Sequence, residues 1–176
     1  FRDVDFSYDG SRKILDGINL SIGKGKTIAI VGSSGAGKST LVDLIPRFYD
    51  ATEGSVKVDG VDVREMTQKD VRDRIGYVPQ KGVLFSGTID SNIRYGKTEI
   101  SEDAVKKAAE VAQATEFIDT KPEQYKTPIA QGGSNVSGGQ KQRLSIARAI
   151  AKDPEIFIFD DSFSALDFKT DSTLRK

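Results

Sequence analysis

The sequence has no cysteine and no histidine among its 176 residues. The missing cysteines exclude disulfide bonds, thiol chemistry and thiolate-bound zinc within this stretch of chain. The missing histidines exclude an imidazole general base and the commonest metal ligand. Any catalysis by these residues therefore depends on carboxylates, lysine, hydroxyl groups, amides and the backbone.

An excess of charge and long apolar runs are also missing. The 26 Lys and Arg residues balance the 26 Asp and Glu residues, so the formal net charge is zero. This balance gives no overall attraction to nucleic acid, and we expect no nucleic-acid partner. No run approaches the ~18 to 20 apolar residues that a membrane span needs. With 37% hydrophobic residues, the composition predicts a single soluble domain over residues 1–176.

We expect the chain to be part of a longer protein. It begins at Phe1 without a methionine and ends at Lys176, inside a helix that is predicted to start near Asp167. Its first residues show no signal-peptide pattern.

Short β-type runs alternate with helical segments along the chain. Residues 4–8 and 18–22 alternate apolar and polar side chains, which predicts half-buried antiparallel strands. Residues 27–31 and 156–159 are continuous apolar runs, typical of central strands buried on both faces. Further predicted elements are strands at 54–60 and 75–78 and helices at 39–48, 101–114 and 137–151. The alternation predicts an α/β fold with a parallel core sheet and an antiparallel N-terminal subsheet.

The first chemical motif is a glycine-rich segment that precedes a predicted helix. Residues 32–39 read Gly-Ser-Ser-Gly-Ala-Gly-Lys-Ser and fit the P-loop pattern G-x-x-x-x-G-K-[ST] without a mismatch. The glycines allow successive backbone N–H groups to converge on phosphate oxygens. Lys38 would neutralise β- and γ-phosphate oxygens, and the Ser39 hydroxyl would ligate Mg²⁺. The candidate nucleotide-binding residues of this motif are Gly32, Ser33, Ser34, Gly35, Ala36, Gly37, Lys38 and Ser39.

The second motif is a pair of acids, Asp160 and Asp161, that directly follows the apolar run 156–159. Open α/β sheets bind ligands at the carboxyl ends of their strands. Asp160 is therefore the candidate acid that complements the P-loop at Mg²⁺. The alternative is that the two acids only end a strand and cap the next turn.

The third motif indicates the family. Residues 135–143 read Asn-Val-Ser-Gly-Gly-Gln-Lys-Gln-Arg, which resembles the signature sequence of ATP-binding cassette (ABC) ATPases. Gln80, at the end of Tyr-Val-Pro-Gln, resembles the family's Q-loop, and Ser-Ala-Leu-Asp at 164–167 resembles its D-loop. Tyr8 is placed like the aromatic residue that stacks on adenine in this family. The resemblance covers essentially the whole chain and implies a P-loop NTPase fold of ABC type.

The resemblance also implies a head-to-tail dimer of nucleotide-binding domains that encloses two ATP molecules. In such a dimer Tyr8 would stack on the base, and the P-loop with Thr40 would hold the phosphates. Ser39, Gln80 and Asp160 would hold Mg²⁺ or its water. The catalytic candidates are Asp161, Gln80 and Lys38. The signature residues would face the γ-phosphate on the partner's P-loop, and they are Ser137, Gly138, Gly139 and Gln140.

Two segments indicate the subfamily. Residues 84–93, Leu-Phe-Ser-Gly-Thr-Ile-Asp-Ser-Asn-Ile, and residues 45–49, Ile-Pro-Arg-Phe-Tyr, resemble cassettes of bacterial multidrug and lipid exporters. The resemblance implies transmembrane domains as partners and a position at the cytoplasmic face of the cell membrane. We interpret Leu84 and Phe85 as part of a docking groove for the membrane domain. The alternative is that both side chains pack inside a helical subdomain, predicted at roughly 82–150.

The chain departs from the family pattern at the second acid. Asp161 stands where most active members carry Glu, and its carboxylate reaches about 1 to 1.5 Å less far. Misplacement on that scale can cost roughly a hundredfold in rate. Exporters that pair two different cassettes often carry this change in one partner, so the resemblance implies that this chain is the weakly hydrolytic half of a heterodimer whose partner carries Glu. The alternative is that Asp161 acts as a base through a shifted water.

Two further observations concern the family's remaining motifs. Residues 130–133, Ala-Gln-Gly-Gly, replace an acidic stretch that exporters usually carry before the signature, which bears on the contact with the membrane domain. The family's switch histidine lies beyond the D-loop, so we expect the chain to be truncated before it.

Two other function classes stay open. A soluble ABC ATPase of the DNA-repair or chromosome-organising kind would share the P-loop, the signature and the acidic strand. Such proteins usually separate these motifs by a long coiled coil, and no heptad run lies between them here. The other class is an ATP-driven clamp that binds ATP without transport, which Asp161 supports in part.

Overall fold

The computed structural model describes residues 1–97 and 99–164. The chain divides into two compact units, Phe1–Arg74 and Ile75–Lys176. The helix predicted near Asp167 and positions 165–167 of the D-loop segment lie outside the described residues.

A three-stranded antiparallel sheet forms in the first unit. Its central strand, β1 (Arg2–Phe6), pairs with β2 (Leu15–Ile18) on one side and β3 (Glu53–Ser55) on the other. This sheet confirms the predicted antiparallel N-terminal subsheet. The second strand lies earlier than the predicted range 18–22, because Leu15 is the side chain that packs in the core and Leu20 is only half-buried.

The first unit also contains two short helices and a two-stranded hairpin. These elements are α1 (Lys38–Asp43), β4 (Lys57–Val58), β5 (Val61–Asp62) and α2 (Gln68–Asp73). The helix predicted at 39–48 ends at Asp43, because Pro46 has no N–H to continue the helical ladder and disfavours helical backbone at the residue before it. The single strand predicted at 54–60 is divided, since β3 pairs with β1 whereas β4 pairs with β5.

Residues 27–31 do not form the buried central strand that their apolar character predicts. Within the described residues they have no strand partner, and Ile28, Ile30 and Val31 are 45%, 36% and 88% exposed. An apolar run favours burial but does not specify a partner strand. The three-stranded sheet of this unit contains β2, β1 and β3 and does not include this run.

The described part of the second unit, residues 75–97 and 99–164, contains a parallel pair of strands and four α-helices. The elements are β6 (Ile75–Val78), β7 (Gly87–Thr88), α3 (Ile89–Ile93), α4 (Glu102–Val111), α5 (Thr115–Asp119), β8 (Pro128–Ile129), α6 (Gly138–Ala151) and β9 (Ile156–Phe159). β6 and β9 run parallel in matched register, from Ile75 opposite Ile156 to Val78 opposite Phe159. This pair confirms the predicted parallel core, while β7 and β8 form a short antiparallel pair.

The two long helices begin where their capping residues predict. The Ser101 hydroxyl accepts a hydrogen bond from the Ala104 N–H at 3.2 Å and starts α4, with Glu102 and Asp103 in the first turn. Acids at this end are favoured by the helix dipole. Val105, Ala108 and Ala109 of this helix are buried, whereas Val111 in its last turn is 47% exposed. No helix in the described ranges has both the length and the apolar character to cross a membrane.

A continuous hydrophobic core fills the second unit. Its largest fully buried side chains include Leu84, Ile89, Ile93, Ile118, Leu144 and Ile146. Leu84 therefore packs in the interior, as expected if this side chain is part of the helical subdomain. Burying a side chain of this size contributes about 1.5 to 3 kcal/mol relative to its exposure.

One buried polar side chain, Asn92, organises the same core. Its amide donates to the carbonyls of Phe85 and Thr88 at 2.8 and 3.0 Å, and its oxygen accepts from the Phe85 N–H at 2.9 Å. The Arg148 guanidinium donates to the same oxygen at 3.0 Å. Asn92 thus ties the loop before α3 to helix α6.

We expect Asn92→Ala to destabilise the second unit by about 2 to 4 kcal/mol, because it leaves several buried donors and acceptors without a partner. The measurement is chemical denaturation followed by circular dichroism. Lys107→Ala, on the exposed face of α4, is the control and should change stability by less than about 0.5 kcal/mol. Equal stability of both variants would show that the Asn92 hydrogen bonds contribute little.

Candidate functional site

The P-loop turns through glycines that no other residue would replace without strain. Gly35 and Gly37 have φ values of 78° and 87°, in the left-handed region that favours glycine. A Cβ atom at Gly37 would also lie 3.2 Å from the Ile14 carbonyl oxygen. Gly37 is the residue before α1, and no side chain there accepts a hydrogen bond from the first N–H groups of the helix. These N–H groups are therefore left for a phosphate group.

The Lys38 side chain folds back along the P-loop. Its ammonium donates hydrogen bonds to the carbonyl oxygens of Gly32 and Ser33, both at 2.8 Å. These hydrogen bonds hold the positive charge of Lys38 beside the loop that the motif assigns to phosphate binding.

Tyr8 lies beside helix α1 in the first unit. Its hydroxyl is 2.9 Å from the Thr40 hydroxyl. Its ring packs edge-on against Phe6 and Tyr49, with centroid distances of 4.8 and 5.2 Å, while 55% of the residue remains exposed. The structure thus brings the base-stacking candidate next to the P-loop helix. From the sequence, Tyr49 is only part of a segment that resembles the family. Its contact with the Tyr8 ring is a role that the sequence analysis missed.

The turn that follows Tyr8 is held by the Asp9 carboxylate. One of its oxygens accepts hydrogen bonds from the Ser11 and Arg12 N–H groups at 2.9 and 3.3 Å and from the Ser7 hydroxyl at 3.2 Å. These bonds, led by that of the Ser11 backbone, lower the pKa of Asp9 from 3.8 to about 2. A carboxylate that accepts several N–H bonds favours its charged form, so this turn is fixed at neutral pH.

The parallel strands of the second unit bring the Q-loop and the acidic pair together. Because Val78 lies opposite Phe159, Gln80 and Asp161 follow at the same edge of the sheet. The Gln80 amide donates to the Asp161 carboxylate at 3.0 Å. The Tyr77 hydroxyl lies 3.5 Å from a carboxylate oxygen of Asp160. Two of the three predicted catalytic residues are therefore in direct contact.

A buried serine holds the acidic turn in place. The Ser162 hydroxyl donates to the Val78 carbonyl at 2.6 Å, and Ser162 is completely buried. The Ser164 hydroxyl donates to the Asp161 carbonyl at 2.8 Å. Asp161 itself has a positive φ of 44°, which aspartate tolerates better than most residues. Apart from its position after the two acids, no sequence signal predicts this role of Ser162.

The signature segment forms the start of helix α6. The Ser137 hydroxyl accepts from the Gln140 N–H at 3.2 Å, and the Gln140 side chain accepts from the Ser137 N–H at 3.0 Å. This reciprocal pair is a capping box. Ser137 and Gly138 are exposed, and Gly139 and Gln140 are half-buried. The N-terminal end of α6 is thus open to a ligand that approaches from outside the unit.

The signature helix is packed tightly against the Q-loop. Gln142, which is completely buried, donates from its amide to the Pro79 carbonyl at 3.0 Å. A Cβ atom at Gly82 would lie 2.7 Å from the Lys141 carbonyl. Only glycine allows this approach of two backbones, so the Q-loop and α6 share a fixed contact.

An aromatic pair lies on the surface of the second unit after the Q-loop. Phe85 and Tyr95 stack with a centroid distance of 4.1 Å and are 40% and 55% exposed. The Arg148 guanidinium lies 5.4 Å from each ring centroid and donates to the Asn92 and Val83 carbonyls. Burial lowers the pKa of Arg148 to about 10, so the side chain stays charged at neutral pH.

The donor types of the predicted Mg²⁺ ligands fit that ion. Ser39 offers a hydroxyl, Gln80 an amide and Asp160 a carboxylate, and oxygen donors are those that Mg²⁺ prefers. Within residues 1–97 and 99–164 no group of three or more acidic side chains is gathered that could hold a metal ion alone.

A family profile described as ABC transporter matches residues 15–164. The chain is 47% identical over 176 residues to an ATP-dependent lipid A-core flippase of Desulfotalea psychrophila, covering 100% of this chain and 31% of that protein. It is 45% identical over 167 residues to a multidrug efflux ATP-binding/permease protein of Mycobacterium bovis, covering 95% of this chain and 14% of that one.

A solved structure shows the same fold. It is a bacterial Atm1-family ABC exporter with ATP bound, and it matches with a TM-score of 0.94 at 44% identity. The match covers 99% of this chain and 31% of the exporter chain. The chain thus spans about a third of the length of that exporter and of the lipid flippase, and a smaller share of the efflux protein.

We expect the Asp9 carboxylate to titrate near pH 2 and not near its ordinary 3.8. Because its pKa is lowered in the folded state, it stabilises the turn fully above about pH 3.8, and this stabilisation is lost as the pH falls through about 2. The measurement is the pH dependence of the side-chain carboxyl chemical shift by NMR. A midpoint for Asp9 near 3.8 would contradict the hydrogen-bonded turn.

Proposed function

The chain belongs to the ABC transporter family, and we propose that it binds and hydrolyses ATP with Mg²⁺ to power a membrane exporter. The observation that carries this proposal is the P-loop of the first unit, with Lys38 held over it and Tyr8 anchored beside its helix. The Atm1-family exporter with ATP bound, at 44% identity over 99% of the chain, supports the same reading.

We propose that ATP is held by the residues that the motif and the family resemblance indicate. Tyr8 stacks on the base through its exposed face. The phosphates are bound by the backbone of 32–40 and by the Lys38 ammonium, which exchanges carbonyl partners for phosphate oxygens. A charge-assisted contact to phosphate is about twice as strong as a neutral hydrogen bond, which favours this exchange.

The hydrolytic step depends on the acidic edge of the second unit. Mg²⁺, held by Ser39, Gln80 and Asp160, would neutralise charge on the phosphates. Asp161 is the candidate base that orients the attacking water and takes up its proton. In the structure its carboxylate accepts a hydrogen bond from Gln80, so the Gln80 amide fixes its direction.

We propose further that this chain's own site turns over slowly and that its partner is a different subunit carrying Glu. The shorter side chain of Asp161 places the carboxylate farther from a water that Glu would reach. The signature of this chain is intact at its helix start, so it would complete the partner's site across the dimer. The alternative is a homodimer in which Asp161 is a working base.

The exposed aromatic pair supports an exporter over a soluble ATPase or a clamp. Phe85 and Tyr95 form a rigid apolar surface on the second unit, and such surfaces mark interaction sites. We propose that transmembrane domains of the exporter cover it, which places the chain at the cytoplasmic face of the membrane. The relatives named as a flippase and as an efflux permease are in accord with this assignment.

We expect Lys38→Ala and Ser137→Ala to separate the two halves of the composite site. Lys38→Ala should weaken ATP binding to this chain by roughly tenfold or more, because a charge-assisted contact is lost. Ser137→Ala should leave that affinity unchanged and lower hydrolysis by the partner subunit. Calorimetric ATP binding and turnover of the assembled transporter are the measurements.

Matched controls are Lys24→Ala, an exposed lysine in a turn, and Ser134→Ala, an exposed serine before the signature. Neither should change binding or turnover. Equal loss of ATP affinity in Lys38→Ala and Ser137→Ala would contradict a site shared between two chains.

We expect Asp161→Glu to raise ATP turnover of the full-length subunit purified alone, by up to roughly a hundredfold. Steady-state phosphate release measures this. Asp153→Glu is the control, because Asp153 is also exposed and also has a left-handed backbone, with φ 53°. Turnover of the unaltered subunit at an ordinary rate of about 10 per second would reject the weak-site proposal and favour a homodimer.

A further inference from the structure

We propose that Thr40 is a positioning residue, whose hydroxyl holds the Tyr8 ring in the orientation that stacks on the nucleotide base. The inference rests on the proposed ATP binding and adds to it a role for one side chain. The family resemblance assigns Thr40 to phosphate. In the structure its hydroxyl is engaged with Tyr8 at 2.9 Å instead.

The surroundings of Thr40 favour a fixed contact. Thr40 is 6% exposed and lies on α1, two positions after Lys38. A threonine side chain in a helix has two main χ1 rotamers, which limits the directions that its hydroxyl can take. The contact is partly buried, where a hydrogen bond competes less with water than at an exposed surface. Thr40 therefore offers Tyr8 a rigid anchor on the P-loop helix.

The other contacts of Tyr8 restrict its ring at the edges. Phe6 and Tyr49 meet it with interplanar angles of 88° and 87°. Edge-to-face packing fixes the ring plane, and the hydroxyl bond to Thr40 fixes rotation within that plane. With 55% of the residue exposed, ring surface remains available for a planar base. Thr40 thus links base stacking to the same helix that begins with the phosphate-binding lysine.

The test is a double-mutant cycle on the full-length protein with two probes, Mg²⁺-ATP and Mg²⁺ with inorganic tripolyphosphate. Tyr8→Phe keeps the ring and removes its hydroxyl, while Thr40→Val keeps the shape and backbone of Thr40 and removes its hydroxyl. Each variant should bind ATP about 2- to 10-fold more weakly, the range expected for loss of one hydrogen bond. Tripolyphosphate, which has no base, should bind all variants equally.

The double variant should lose no more ATP affinity than either single variant, since both remove the same bond. Thr40→Ser, which restores a hydroxyl, should recover most of the affinity. Unchanged tripolyphosphate binding shows that the P-loop is still folded in each variant.

Three results would overturn the inference while leaving ATP binding intact. They are losses that add in the double variant, an equal loss of ATP and tripolyphosphate affinity in Thr40→Val, and no loss of ATP affinity in either single variant. Failure of the unaltered protein to bind ATP is a different result, because it rejects the proposed function and this inference with it.

Discussion

The parallel pairing of β6 with β9 is the constraint on which the second unit depends. Val78 and Ile158 of this pair lie in the interior, whereas Phe157 and Phe159 are 46% and 40% exposed. Because the register is matched to the last residue of each strand, both strands deliver their following residues to one edge. Gln80 and Asp161 meet there, and Ser162 returns to the Val78 carbonyl to hold the turn. A shift of one residue in this pairing would separate the catalytic candidates.

Much of this architecture is predictable from local sequence signals. The starts of α4 and α6 follow from Ser101 and Ser137, since a capping side chain acts within three residues of its own position. β6 and β9 lie where their apolar runs predict. The contact between Gln80 and Asp161 follows from parallel strands that end together.

The features that sequence reasoning missed depend on distant partners. Residues 27–31 have the composition of a buried strand but no ladder partner in the first unit. The Thr40 hydroxyl forms a hydrogen bond with the Tyr8 hydroxyl, 32 positions away in the sequence. The Asn92 side-chain oxygen accepts a hydrogen bond from Arg148, 56 positions away. No local pattern specifies such pairs, because they exist only once the elements have packed. The early end of α1 is a different case, because Pro46 is a local signal that is present in the sequence.

The close contact between Gly82 and the Lys141 backbone has a mechanical consequence. Two backbones in contact, with Gln142 bonded to Pro79 across the same junction, leave no compressible side-chain layer between the Q-loop and α6. A helix of 14 residues is about 21 Å long and resists bending. Beyond this junction the helix is packed against α3, α4 and β6 along its length, so a displacement of the Q-loop backbone displaces α6 as one body. The absence of one methyl group thus couples the two segments.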